Sequence, residues 1–316
     1  MLGGPRRYTR LQLNEAAGLE PAASQGLWRA LGFADVPDDA VLFTDGDLAA
    51  LRLMTKLTDA GVLDPSVREA VTRAVAQSMS RLTEWQVGML RSVIETESDT
   101  KGGPAVTPQQ SLQIAAALVP TLEELQTYVW RRHLAATINR MLVTSGDIST
   151  GDDGTTPLAV GFADMVGFTR TTRRRSTDEL ADLIEGFGSS TSQVIAGGGG
   201  RIVKTVGDEV LFVADGIVAA ADIALDLQER VRSESSLPDL RIGLAAGPVL
   251  VRYGDVYGEV VNIAARLTSH ARPDTVLVDR TVADALDGNR RFALRAVRTL
   301  SVRGYRHLHP WLLERP

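Results

Sequence analysis

Asp164 closes an apolar run, AVGFADMVGFT at 159–169. A carboxylate on such a strand is costly unless it is paired or holds a cation. The same residue also reads as a helix cap, because a glycine-containing loop follows it. A second segment, RIVKTVGDEVLFV at 201–213, sets Lys204 inside an alternating strand and Asp208 beside Gly207 in a turn. Gly-Asp alone is an ordinary turn signal. Two aspartates on adjacent strands also make a hard-oxygen site for a small divalent cation, and Mg²⁺ favours one or two carboxylates together with phosphate oxygens. A third segment, GDVYGEVVNIAARL at 254–267, carries Asn262 and Arg266 four residues apart, with Asp255 just before them. On a helix that spacing puts both on one face. The guanidinium offers a phosphate a planar fork of donors. A plain amphipathic helix with a solvated polar face gives the same pattern.

These residues need a scaffold, and the second half of the chain has an alternating one. A short apolar strand at 158–163 is followed by an amphipathic helix at 177–195 and the glycine run 197–200. Residues 201–206 and 209–214 alternate around Gly207-Asp208, a hairpin signal. A helix at 217–232, strands at 240–246 and 248–253, a helix at 257–270 and a strand at 275–278 complete the pattern, with strand-like pieces at 292–298 and 309–313. The order β-α-β-β-α-β predicts a ferredoxin-like α+β core.

The first half reads as all-α. Two short helices flank Gly18, and Thr44 or Asp45 caps a third that runs to about Ala60. Asp64-Pro65 starts a long helix reaching about Glu97, the KGGP at 101–104 interrupts it, and helical periodicity resumes over 108–118 and 121–143. Residues 144–157, TSGDISTGDDGTTP, have almost nothing to bury and read as a linker. The expected organisation is a helical domain at 1–143, a linker at 144–157 and a second domain at 158–316.

Composition narrows the chemistry. With no cysteine among 316 residues, disulfides, zinc–thiolate sites, iron–sulfur clusters and a thiol nucleophile are excluded. No apolar run approaches the ~18 residues of a membrane span. No apolar stretch follows the basic N-terminus, so a cytoplasmic protein is the expectation. Only three of the 34 basic residues are lysines (Lys56, Lys101, Lys204), which singles out Lys204 in an arginine-biased chain.

Together the three segments resemble the motifs of the class III nucleotidyl cyclases. FADMVGFT matches the first metal motif, KTVGDEVLF the second, and GDVYGEVVNIAARL the substrate and transition-state motif. The resemblance implies that Asp164 and Asp208 hold two Mg²⁺ or Mn²⁺ per active site. It implies that Lys204 and Asp255 read the purine, Asn262 orients the ribose and Arg266 meets the transition state. Arg303, in the tail VRGYRHLHPWLL, matches loosely a basic residue on the terminal phosphates. A lysine and an aspartate satisfy adenine, the carboxylate accepting from its amine and the ammonium donating to a ring nitrogen. The guanylyl members typically carry Glu and Cys there, so ATP is the implied substrate, and cyclic AMP with pyrophosphate the products. Family active sites lie between two catalytic domains, and this chain holds both half-sets, which implies a homodimer.

The layout of the first half resembles that of soluble mycobacterial cyclases with an inhibitory, pH-responsive N-terminal domain. That reading leaves room for a small-molecule or proton effector there, with His133 as one titrating group. Residues 8–57 also resemble the winged helix-turn-helix of MerR-type regulators. Residues 1–60 hold 6 basic and 8 acidic side chains, the wrong sign for phosphate contacts, so nucleic acid is not the expected partner. The alternative for the whole chain is a catalytically silent cyclase-homology protein or a MerR-like DNA-binding regulator acting as a binding module, and for the first half an inert dimerisation scaffold.

Overall fold

The computed structural model describes residues 4–33, 35–101, 107–147, 154–173, 175–234, 236–302 and 305–316. The chain divides into two compact units, Met1–Val143 and Thr144–Pro316.

The first unit is built from five helices: α1 (Arg10–Ala17), α2 (Pro21–Ala30), α3 (Asp45–Asp59), α4 (Pro65–Lys101) and α5 (Pro108–Asp147). Thr9 and Thr44 each form a capping box, with Gln12 and Asp47 respectively, which satisfies backbone donors that a helix start leaves orphaned. Gly18 ends α1 with φ 68°, a left-handed conformation that costs glycine least. Leu13, Ala17, Leu27, Leu48 and Leu51 form a small core among α1, α2 and α3. The two helical stretches expected at 108–118 and 121–143 are one helix, with Pro120 inside it. Proline removes one donor, and many intact bonds on either side carry the helix past that loss. The helix also continues to Asp147, and the next strand begins at Thr156, so both ends of the expected linker are regular. His133 is exposed on α5.

The second unit centres on an eight-stranded sheet. Its strands are β1 (Thr156–Met165), β2 (Arg201–Val206), β3 (Glu209–Ala214), β4 (Leu240–Arg252), β5 (Asp255–Tyr257), β6 (Thr275–Val278), β7 (Ala293–Ala296) and β10 (Trp311–Glu314), in the order β2-β3-β1-β4-β6-β10-β7, with β5 on β4. The β2-β3-β1-β4 segment is the ferredoxin-like arrangement: β1 lies antiparallel between β3 and β4, and a split crossover joins it to β2. The helices are α6 (Phe168–Thr172), α7 (Thr177–Gly197), α8 (Ile217–Ser233), α9 (Glu259–His270) and α10 (Arg280–Leu286). Alternation along β1 sends Ala159 and Ala163 to the face covered by α7, α8 and α10, and Leu158 and Val160 to the face covered by α9.

Several sequence expectations change here. The strands read at 240–246 and 248–253 are one, because Gly247-Pro248 stays in register against Leu158 and Pro157 of β1. The helix expected from Tyr257 begins at Glu259, since residues 255–257 pair back onto 250–252 as a hairpin. Helix α10, capped by Asp279, and the hairpin of β8 (Leu300–Val302) with β9 (Tyr305–Leu308) carried no clear periodicity.

Candidate active site

Two clusters form at the ends of these strands. β1 carries Asp164 opposite Glu209 of β3 and Arg241 of β4 in cross-strand register. The two-residue turn Gly207-Asp208 joins β2 to β3, with Gly207 at φ 62°. The Met165 amide donates to the Asp208 carbonyl at 3.1 Å, which ties that turn to the end of β1. Asp164 is half-buried and ion-paired to Arg241 Nη2. Burial raises the proton affinity of Asp164. Arg241 opposes that rise, and the neighbouring Asp208 carboxyl adds to it through space and by hydrogen bonding. Glu209 is pushed up as well, by burial first and then by Asp164 and Asp208.

Two carboxyls in contact, with a third behind them, need a proton or a cation between them. The donors are hard oxygens, which suit Mg²⁺ or Mn²⁺, and a pair of carboxylates leaves coordination positions for phosphate. No group of three or more His, Cys, Asp or Glu poised around one ion occurs among the described residues.

The second cluster lies on β2 and β5. Lys204 Nζ donates to Asp255 Oδ2 at 2.5 Å, and the Val256 amide donates to Asp255 Oδ1 at 2.8 Å. The backbone thus fixes one carboxylate oxygen while the other faces the ammonium. A Tyr253-Gly254 turn with both φ values positive, 53° and 78°, folds β5 back on β4 and presents Asp255.

Asn262 and Arg266 lie exposed on α9, with no hydrogen-bond or ion-pair partner for either side chain among the described residues. The opposite face of α9 buries Val260, Ala264, Leu267 and Thr268. It sits so close to β4 that a β-carbon at Gly243 would meet the Thr268 backbone nitrogen at 2.4 Å. Arg303 lies outside the described residues.

Sequence reasoning missed Arg241 and Glu209. Arg241 opens a run, RIGLAAGPV, that reads as an ordinary strand, and only its register against Asp164 reveals it. Its Nε is buried without an acceptor among the described residues, so one ion pair holds the group. Glu209 follows the turn aspartate directly and was legible as a third acid in KTVGDEVLF.

Residues 153–315 match the adenylate and guanylate cyclase catalytic domain. The chain is 39% identical to an adenylate cyclase of Streptomyces coelicolor, covering 100% of this chain and 88% of that one. It is 36% identical to an adenylate cyclase of Glutamicibacter nicotianae, over 99% and 80% of the two chains. A pH-sensitive adenylate cyclase of Mycobacterium tuberculosis is 31% identical over 87% of this chain and 69% of its own. With its sheet, its paired carboxylates and kinship that extends through the helical half, this protein belongs to the class III adenylate and guanylate cyclases.

Proposed function

We propose that the protein is an adenylate cyclase that converts ATP to 3′,5′-cyclic AMP and pyrophosphate at sites shared between two copies of the chain. The observation that carries the choice of base is the 2.5 Å bond between Lys204 and Asp255. It holds an ammonium donor and a carboxylate acceptor side by side, the set that adenine's ring nitrogen and amine require. Guanine presents an acceptor where adenine has its amine, and would leave the carboxylate facing an oxygen. The names of the two actinobacterial relatives favour the same substrate.

Asp164 and Asp208 would hold two divalent cations, which supply phosphate charge neutralisation and acidify the ribose 3′-hydroxyl. Asn262 orients the ribose. The 3′-hydroxyl would pass its proton to water, its oxygen would attack the α-phosphorus, and the bond to the pyrophosphate oxygen would break as pyrophosphate leaves. Arg266 meets the charge that develops on the α-phosphoryl group, a contribution of ~10²–10³ in rate for a group of this kind. Arg241, which pairs with Asp164, would be released toward the phosphates if that carboxylate turned to the cations. The metal pair and the Lys204–Asp255 pair form separate clusters, which favours a homodimer in which one copy supplies the acids and the other the base-reading pair, Asn262 and Arg266.

The helical half restrains this activity, a reading that its kinship with a pH-sensitive relative supports. Purified full-length protein with Mn²⁺ and either ATP or GTP, scanned from about pH 5 to 8, is the direct test. Cyclic AMP from ATP, and more of it from a chain starting near residue 150, is expected. Cyclic GMP from GTP in preference to cyclic AMP from ATP would overturn the base assignment, and a shortened chain that is no more active would overturn the restraint.

A further inference from the structure

The segment that follows Asp164 is basic. Four of residues 170–175 are arginine, and no acid occurs between Asp164 and Asp178. The first of them, Arg170, lies exposed on α6, with no hydrogen-bond or ion-pair partner for its side chain among the described residues. Its guanidinium folds back over Gly167: a β-carbon there would meet Arg170 Nη2 at 3.3 Å. Val166, Gly167, Arg170 and Thr171 line an open hollow of about 260 Å³. The backbone holds this hollow against the acid cluster. The Met165 amide donates to the Asp208 carbonyl, and the Val166 amide to the Asp239 carbonyl at 2.8 Å, two residues before Arg241. The Arg170 and Thr171 amides donate to the Gly167 carbonyl at 2.9 and 3.1 Å, so the turn that carries the guanidinium stands on the glycine. Gly167 follows Asp164 by three residues of chain, at most about 10 Å.

A guanidinium with unspent donors, next to acids that suit divalent cations, fits an anion carried by those cations. Its planar fork matches phosphate oxygens, two bonds at a time. The other cations of the two clusters are engaged: Arg241 with Asp164, and Lys204 with Asp255. We propose that, on the cyclase reading, Arg170 grips the terminal phosphates of the bound nucleotide and keeps hold of the pyrophosphate as it leaves. Negative charge gathers on that group as its bond to the α-phosphorus breaks, and a preset donor stabilises it there. Arg170 thus serves the leaving group and Arg266 the α-phosphoryl group. Cations and leaving group then stay with one copy, while the other copy holds the base. An arginine that meets only solvent would leave pyrophosphate binding unchanged, and the two cases part on that measurement.

Inorganic pyrophosphate is the probe, read without turnover by thermal unfolding of the full-length protein in excess Mn²⁺. Pyrophosphate should raise the melting temperature of the wild-type chain beyond the effect of Mn²⁺ alone. Arg170→Ala should need on the order of tenfold more pyrophosphate for the same rise, while its response to Mn²⁺ alone stays that of the wild type. Arg170→Lys, which keeps the charge and loses the fork, should fall between the two. Arg170 is exposed, so melting without ligand should be unchanged in both variants. Arg175→Ala, in the same basic run, is the control. Its Nη1 already donates to the Glu179 carbonyl at 3.5 Å, and its loss should leave pyrophosphate binding as in the wild type. An Arg170→Ala chain that binds pyrophosphate like the wild type would overturn the contact and leave the cyclase reading standing. Equal weakening in Arg175→Ala would overturn it too, in favour of a diffuse basic field. A wild-type chain that Mn²⁺ and pyrophosphate together fail to stabilise would overturn both readings.

Discussion

Replacing Gly243 by alanine tests whether the seat of α9 sets the reaction rate. Gly243 lies mid-strand in β4, between Phe162 of β1 and Leu277 of β6. A β-carbon there would stand 2.4 Å from the Thr268 nitrogen and 2.5 Å from the Ala264 carbonyl oxygen. Ordinary van der Waals contact begins near 3.4 Å, so the helix must lift by roughly 1 Å. Both obstructing atoms are backbone, and no rotamer change relieves them. Overpacking of this kind costs about 1–3 kcal/mol, or roughly 2–12 °C in melting temperature for a unit of this size. Arg266 lies between the two contact points, so the lift would displace it from the α-phosphoryl group it is proposed to meet. A misplacement of about 1 Å costs on the order of 10²-fold in turnover. The assay is kcat and KM for cyclic AMP formation with Mn²⁺, beside thermal unfolding of the same preparation. Gly188→Ala, on α7 with nothing within 4 Å of the added carbon, is the control and should keep wild-type turnover. Wild-type kcat in a folded Gly243→Ala enzyme would refute the idea that this close approach positions Arg266.

Asp164→Ala and Arg266→Ala should each lose at least ~10² in rate. Mixed, they should recover about one quarter of wild-type activity, because half the dimers are mixed and each then has one intact site of two; no recovery from proven heterodimers rules out the shared site. Lys204→Ala leaves Asp255 without its cation, and the ratio of kcat/KM for ATP over GTP should fall on the order of tenfold or more. An unchanged ratio would remove Lys204 from base recognition. Burial keeps the Asp164 proton to a higher pH than a free aspartate does. A cation needs the carboxylate, so thermal stabilisation by Mn²⁺ should be full near neutrality and vanish on acidification above the ordinary aspartate range, as a titration of melting temperature against pH will read. In the cation-free protein the sign is opposite: a carboxyl with raised proton affinity in the fold stabilises at low pH and costs stability as pH rises through its folded value.

Local chemistry made much of this legible from sequence. The hairpin at Gly207-Asp208, the Thr44 cap and the one-faced pair Asn262 and Arg266 follow from turn geometry, capping and the helical repeat. What escaped depends on neighbours distant in the chain. Gly247-Pro248 looks like punctuation, yet pairing with β1 keeps β4 continuous through it. Pro120 looks like a helix end, yet the bonds around it outweigh the missing donor. Arg241 is 77 residues from Asp164, and only the register of β1 on β4 makes them partners. Glu209 owes its raised proton affinity to burial that its own segment does not announce.

The continuity of β4 has a further consequence. One end of that strand carries Arg241, against the acid cluster; the other carries the hairpin that presents Asp255. In the proposed two-chain arrangement those ends would serve different active sites, joined by about 36 Å of extended strand at ~3.3 Å per residue. A paired strand does not stretch, so a shift at one end is delivered to the other as displacement rather than absorbed. If two copies share their sites as proposed, filling the first would alter the starting geometry of the second, and the pair would answer ATP concentration as one coupled device, with a saturation curve that departs from a simple hyperbola.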